Sequence, residues 1–457
     1  VITALALALT LLAAATASAA TQTVSRTFGP IRIGGYEVRQ DTTMNVPNAG
    51  VDGYITDMEV DVVDRAGRVL PISRVMLHHV VFLNMGSGTE LRPDRTCGEF
   101  RLWNSRDTLP ALAERFYAAG EERAEMHLPP GYGYKVSSRD TWFMVWMLMN
   151  HRKVPDEAYV KYTMTVETEQ PLRAVTPYWL DVANCSVDPI YNVPGDGRAG
   201  SQHRRTSEFT IQQSGRVVAG SGHVHGGGQS LSVTQPTCEN REVARFLPTW
   251  GARSHPFYNV KPILHEPGPI DVTTMQSPTG IPVTAGSKLA LTSTYEGSLP
   301  HTRVMGISVI YVAPDETVTD PCGALPGDIA YSQRPAGRSA PPRFTVPLTG
   351  IDPDTGKAVT IKAPPGRRVA LRSGSTVDVR GFAFSKPNIA LRKGARLTWR
   401  FRDRGAIHNV TLASGPIGFG SDNLDRGSFS QRFTKRGTYR IFCALHPVAM
   451  TESVVVR

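Results

Sequence analysis

Short runs of alternating apolar and polar residues, cut by glycine, proline and aspartate, recur along most of this chain. Residues 54–63, 75–83, 216–221, 230–234, 288–294 and 303–312 are short, β-branched and bounded by turn residues, the pattern of strands. The run 142–149, WFMVWMLM, is apolar throughout but short, as expected of a buried strand. The turn HLPPGYGY feeds it. One stretch departs from the pattern: residues 108–126 predict a short helix. The expected fold class is all-β.

Punctuation divides the chain. Residues 21–166 form a first β-rich unit and 167–312 a second. Residues 313–343, with PCGALPGD and RPAGRSAPPR, predict a linker, and 344–457 is again β-patterned. The 457 residues suit two to four domains, and 42 Gly with 34 Pro suit a turn-rich β protein. There is no repeat of fixed period, no coiled-coil pattern and no P-loop.

The first twenty residues are apolar and small, and Ala17-Ser18-Ala19 fits a cleavage site, so a secretory signal is expected. No later run reaches membrane-spanning length. The expectation is an exported protein, secreted or periplasmic, with no stable membrane span after cleavage. Export implies paired cysteines. There are five, and Cys443 stands apart with its own context. Cys97, Cys185, Cys238 and Cys322 then allow three pairings, among which the sequence does not choose. Charge is uneven. Residues 331–457 hold 22 Lys and Arg against 7 Asp and Glu, whereas the first 330 hold 28 against 33. No recognition helix or RNA-binding signature accompanies the basic part, so docking of a basic module on an acidic one is expected rather than nucleic-acid binding.

The chemistry concentrates in histidines. In RVVAGSGHVHGGGQSLSV, His223 and His225 lie two apart on a strand running into glycines. Alternate strand side chains share a face, so the two imidazoles form a chelating pair with Val224 turned into the packing. His78 and His79 are neighbours in VMLHHVVFLN and reach one metal only at a bulge or strand end. His151 closes the buried run, at a rim, and Met305 follows YEGSLPHTRV on a strand. His127, His203, His255, His265 and His301 are read as structural or surface residues.

Near the C-terminus, Cys443, His446 and Met450 follow one strand and precede another, with His408 upstream in GAIHNVTL. A thiolate, two imidazoles and a thioether are the ligand set of an electron-transfer copper site. The stretch from about 375 to 457 resembles the cupredoxin (plastocyanin-like) family, through GFAFSKPNIALRKGARLTWRF, HNV and GSFSQRFTKRGTYRIFCALHP. The resemblance implies a Greek-key β-sandwich holding type 1 copper at His408, Cys443, His446 and Met450. The His446-to-Met450 spacing varies within that family.

Residues 53–312 resemble the copper type II, ascorbate-dependent monooxygenases, the family of peptidylglycine α-hydroxylating and dopamine β-monooxygenases. The likeness rests on LHHV, LPPGYGYKV, the NH at His151 followed by DEAYVKYTM, HVH, and YEG before Met305. It implies two jelly-roll β-sandwich domains, each carrying one mononuclear copper across a solvent-filled cleft, with ascorbate as reductant. His78, His79 and His151 would hold the electron-transfer copper. His223, His225 and Met305 would hold the copper at which O₂ is reduced and a C–H bond hydroxylated, one oxygen atom going to product and one to water. Ser221, Ile307 and Val309 replace the Arg, Asn and Tyr that bind a peptide C-terminus in the peptide-hydroxylating members. The expected substrate is therefore a small molecule or side chain other than a peptidyl-glycine, and the cupredoxin site is expected to pass electrons to the His78, His79 and His151 copper. Two further readings stand beside this one. One is an exported copper-binding electron-transfer protein without hydroxylase activity. The other is a cell-surface interaction protein in which only the cupredoxin unit binds metal.

Overall fold

The computed structural model describes residues 21–101, 108–260, 264–341, 350–352, 357–421 and 424–457. The expected signal segment, residues 1–20, lies outside them. The chain is all-β, built as three successive pairs of sheets. The first pair sets Thr21–Ile33, Asp156–Glu167, Gly53–Val63, Tyr132–Val136 and Arg173–Ala174 against Val38–Val46, Trp142–Asn150, Val75–Asn84 and Glu114–Gly120. The second sets Thr176–Asp181, Gly306–Pro314, Gly215–Val224, Met275–Val283 and Ala330–Tyr331 against Gln202–Thr210, Lys288–Glu296, Gly228–Gln235 and Arg241–Phe246. The third contains Gly437–Phe442 and Thr451–Val456 in one sheet and Ser375–Arg380 with Arg396–Arg402 in the other.

Alternation explains how the first two sandwiches join. In Gly306–Pro314, Ile310 and Val312 point into the second core, while Ile307, Val309, Tyr311 and Ala313 belong to the core of the first sandwich. Strands buried on both faces lose the polar half of the pattern, which is why GISVIYVA is apolar apart from Ser308, whose hydroxyl donates to the Ser221 carbonyl. Across this seam the Tyr311 hydroxyl donates to the Phe116 carbonyl at 3.0 Å. The disulfide Cys97–Cys185 also links the two sandwiches, and Cys238–Cys322 is the second pair.

Two expectations need correction. Residues 108–126 contain no helix: Thr108–Pro110 and Glu114–Gly120 are strands. Glu114–Gly120 is buried along its whole length except the half-buried Ala118, so its ERFYAAG sequence shows no two-residue period. The segment expected as a linker is largely strapped to the second sandwich. Ala330–Tyr331 pairs with Met275–Val283, Cys322 is bridged to Cys238, and Arg338 exchanges backbone hydrogen bonds with Trp250.

Candidate metal centres and their cavity

The strand Val75–Asn84 fixes the first pair of histidines. Leu77, Val80 and Phe82 all face the core, which strict alternation forbids for positions 77 and 80. The register resolves this. His79 pairs with Met147 and Leu77 with Leu148, so His78 is an extra residue, a β-bulge. The bulge turns both imidazoles out of the sandwich core and brings Nδ1 of His78 to 3.1 Å from Nδ1 of His79.

The strand Gly215–Val224 supplies the other half. Val224 is in the core, and His223 and His225 share the opposite face with their Nε2 atoms 3.0 Å apart. Glu122, fully buried, accepts at 2.9 Å from Nδ1 of His223 and leaves Nε2 facing His225. The Tyr295 hydroxyl receives a hydrogen bond from the His225 amide and donates to the Met305 carbonyl, tying the two ligand-bearing backbones together.

These pairs converge. His78 packs on His225 with ring centroids 4.7 Å apart, and His265 lies against both. Nε2 of His265 stands 2.8 Å from Nδ1 of His225. One donor atom from each of His78, Glu121, His225 and His265 fits within 4.8 Å. Instead of two centres facing each other across a solvent-filled cleft, the seam between the sandwiches holds one continuous cluster of His78, His79, His223, His225 and His265. His265, read from sequence as structural, is central to it, as is Glu121. No period marks either residue: His265 sits in a proline-flanked loop, and Glu121 follows the end of a strand. His301 is held by Glu266 at 2.9 Å.

His151 is buried, and neither ring nitrogen has a hydrogen-bond partner. It follows the end of Trp142–Asn150, and its amide donates to the Arg74 carbonyl at 3.0 Å. Met305 is buried, and it and His223 both line a cavity along the seam.

Burial holds the imidazoles neutral, the form in which they bind metals. It pushes His79 and His265 down to about 3 and His151 to about 4, and it pushes His78 and His225 well below the usual range. Burial also raises the Glu121 carboxyl well above its usual value. Oε2 of Glu121 accepts from the Gly268 amide, while buried Oε1 has no hydrogen bond and lies 3.7 Å from Nε2 of His265. A buried carboxyl oxygen without a hydrogen bond beside converging imidazoles is what a metal ion satisfies. Imidazole alone suits several metals. A nearby thioether narrows the choice towards copper.

A cavity of about 390 Å³ lies along the seam. His79, His223 and Met305 are among its lining residues. Val81, Ala118, Phe143 and Val145, the outward residues of the first sandwich, line one wall, and Ser221, Ile307 and Val309 line the facing one.

In the third sandwich His408, Cys443 and His446 bring one donor atom each within 4.8 Å. Nδ1 of His408 and Nδ1 of His446 are 3.3 Å apart, and Cys443 Sγ is 3.5 Å from the latter. Asp403 accepts from His408 Nε2 at 2.9 Å, which points Nδ1 inward. The Asn409 amide donates to Sγ at 3.4 Å. Cys443 is free and buried, and Met450 is buried in the same core.

This unit touches the second sandwich through the loop at Gly418 and Gly420 and through the Lys435 side chain, which lies against Gly197. The Gly418 amide donates to the Pro194 carbonyl at 2.6 Å, and Gly420 rests against the Asn192 side-chain amide. Asn192 Oδ1 accepts from the Arg303 amide at 3.0 Å. Arg303 bears electrostatically on His225 and His265. These contacts of the third sandwich are made to the second, whereas the expected electron route ran to the histidines of the first; ahead of the third sandwich, Lys357 pairs with Glu37 of the first.

A family model described as "SURNod19: Stress up-regulated Nod 19" matches residues 132–315, the stretch holding His151, His223, His225, His265 and Met305. No curated protein matches. Among solved structures, the chain is similar to a reduced Cu(I) form of an amicyanin mutant, at 28% identity over 19% of this chain and 86% of that one, TM-score 0.17. It is also similar to a second reduced amicyanin mutant, at 29% identity over 18% and 80% of the two chains, TM-score 0.17.

Proposed function

We propose that this chain is an exported copper oxidoreductase that hydroxylates a C–H bond with O₂. The observation that carries the reading is the cavity lined by His79, His223 and Met305. His78, His79, His223, His225, His265 and Met305, with Glu121, are the residues that would hold copper in the seam, and His408, Cys443, His446 and Met450 would hold a type 1 copper. Copper bound in the seam supplies the one-electron steps that reduce O₂, so that C–H, O₂, two electrons and two protons become C–OH and water. The protein supplies position. Glu122 aims His223, Tyr295 fixes the spacing of His225 and Met305, and the apolar walls exclude water beside the reacting bond. Asn409, the loop at Gly418 and Gly420, Asn192 and Arg303 would form the contact path between a copper held at Cys443 and one held in the seam. Ascorbate serves as the external donor in this reading.

The test is oxygen consumption by copper-loaded protein with ascorbate and a pool of candidate substrates under ¹⁸O₂. One labelled atom should enter product, and His223→Ala and Met305→Ile should abolish incorporation. A second reading, a copper-binding electron-transfer protein without hydroxylase activity, is favoured by the merging of the histidines into one cluster. Reversible copper reduction without O₂ use would select it.

A further inference from the structure

We infer that the cavity selects an elongated, uncharged, hydrocarbon-rich molecule, and that its apolar body lies along the seam with one end at His223 and Met305. The inference rests on the hydroxylase reading and names its substrate class.

Three features of the wall carry it. First, the outer face of the sheet containing Val75–Asn84 presents Val81, Leu83, Phe143 and Val145, where a sandwich normally shows polar residues to water. Second, the charged groups on the wall are already engaged. Arg115 donates Nε–H to Asp94 at 2.7 Å, and its guanidinium lies between the rings of Phe100 and Trp179, at 4.6 and 4.7 Å. Glu122 is engaged by His223 and the Gly120 amide, and Asp188 also has a partner. Among the described lining residues no cation is left over to hold a substrate carboxylate, and burying an unpaired charge there is costly. Third, the positions that would carry a clamp for a peptide C-terminus are Ser221, Ile307 and Val309, and all three line this cavity.

The outer end has the same character. Met44, Leu109, Leu112 and Val187 line the cavity and are about half exposed, an apolar rim at which a hydrocarbon chain leaves water. The volume lies in the range of ligand cavities, which bury most of a small molecule.

The test is binding, measured on the full chain with and without copper and without reductant. The neutral fluorophore N-phenyl-1-naphthylamine should bind and be displaced by dodecan-1-ol at least ~10-fold more tightly than by dodecanoate or dodecylamine. Ala118→Trp, which fills the wall, should weaken displacement by ~10-fold or more with copper content unchanged. Leu112→Asp, at the exposed rim, should weaken it as well and does not disturb the core. Equal or tighter binding of dodecanoate or dodecylamine would overturn the inference. So would wild-type protein that binds no probe but dimerises through the rim, with the dimer lost in Leu112→Asp. If dodecan-1-ol binds as described but is never hydroxylated with copper, ascorbate and O₂, the hydroxylase reading fails and the binding class stands. If a charged substrate is hydroxylated instead, the reverse holds.

Discussion

A methyl group on Gly120 would lie 2.4 Å from Cε1 of His223 and 2.9 Å from Oε2 of Glu122. Gly120 pairs with His79 across the sheet, so the absence of a side chain on the first sandwich admits a histidine from the second. Gly120→Ala should displace His223 and lower copper affinity in the seam by ~10-fold or more, while the type 1 absorption at Cys443 is retained. Copper titration with a competing chelator reads the first quantity and visible absorption the second. Unchanged seam affinity would show that His223 is not a ligand.

His265 offers a sharper comparison. It faces the opposite ring nitrogen of His225 from the one that faces His223. If both belong to the metal cluster, His265→Ala should weaken copper binding about as strongly as His223→Ala and alter the Cu(II) EPR spectrum. A His265→Ala protein with wild-type affinity and spectrum would return this residue to a structural role.

Asn192 bridges the third sandwich to Arg303. Asn192→Ala should slow emptying of the reduced type 1 centre into the seam several-fold, without changing the type 1 absorption band. Stopped-flow absorbance after rapid reduction measures this. A rate unaffected by Asn192→Ala but abolished by Cys443→Ser would mean that electrons cross elsewhere.

Glu452 gives a pH dependence of known sign. It is buried, accepts from Trp399 Nε1 at 2.8 Å, and is pushed up to about 8 by desolvation. The folded state keeps a proton that the unfolded chain loses from about pH 4.5 upward. Stability should therefore fall as pH rises from about 4.5 to about 8 and level off above, by an amount on the order of a few kcal/mol. Glu452→Gln keeps an acceptor for Trp399 and removes the titration. Calorimetry of the copper-free chain should find the variant close to wild type at pH 4, with its advantage growing to a maximum above pH 8. A constant difference across that window would contradict the assignment.

The strands were readable because burial on one face leaves a two-residue period, and His223-Val224-His225 keeps that period into the site. His78-His79 was readable only conditionally: neighbouring side chains meet at one point if a bulge intervenes, and a bulge leaves no mark in composition. Glu114–Gly120 was misread because its two buried faces erase the alternation that distinguishes a strand from an alanine-rich helix. His265 and Glu121 were invisible for a different reason. They enter from segments outside regular strands, and only the closure of one sandwich on the other brings them to His78 and His225.

The shared core along Ile307, Val309 and Tyr311 has a mechanical consequence. Prising the sandwiches apart would wet that strand face, break the Tyr311 contact to Phe116 and pull against Cys97–Cys185. The seam is a weld and not a hinge. The two halves should melt as a single cooperative block, and a molecule bound for His223 must thread in from the rim at Leu112, since the halves do not part to admit it.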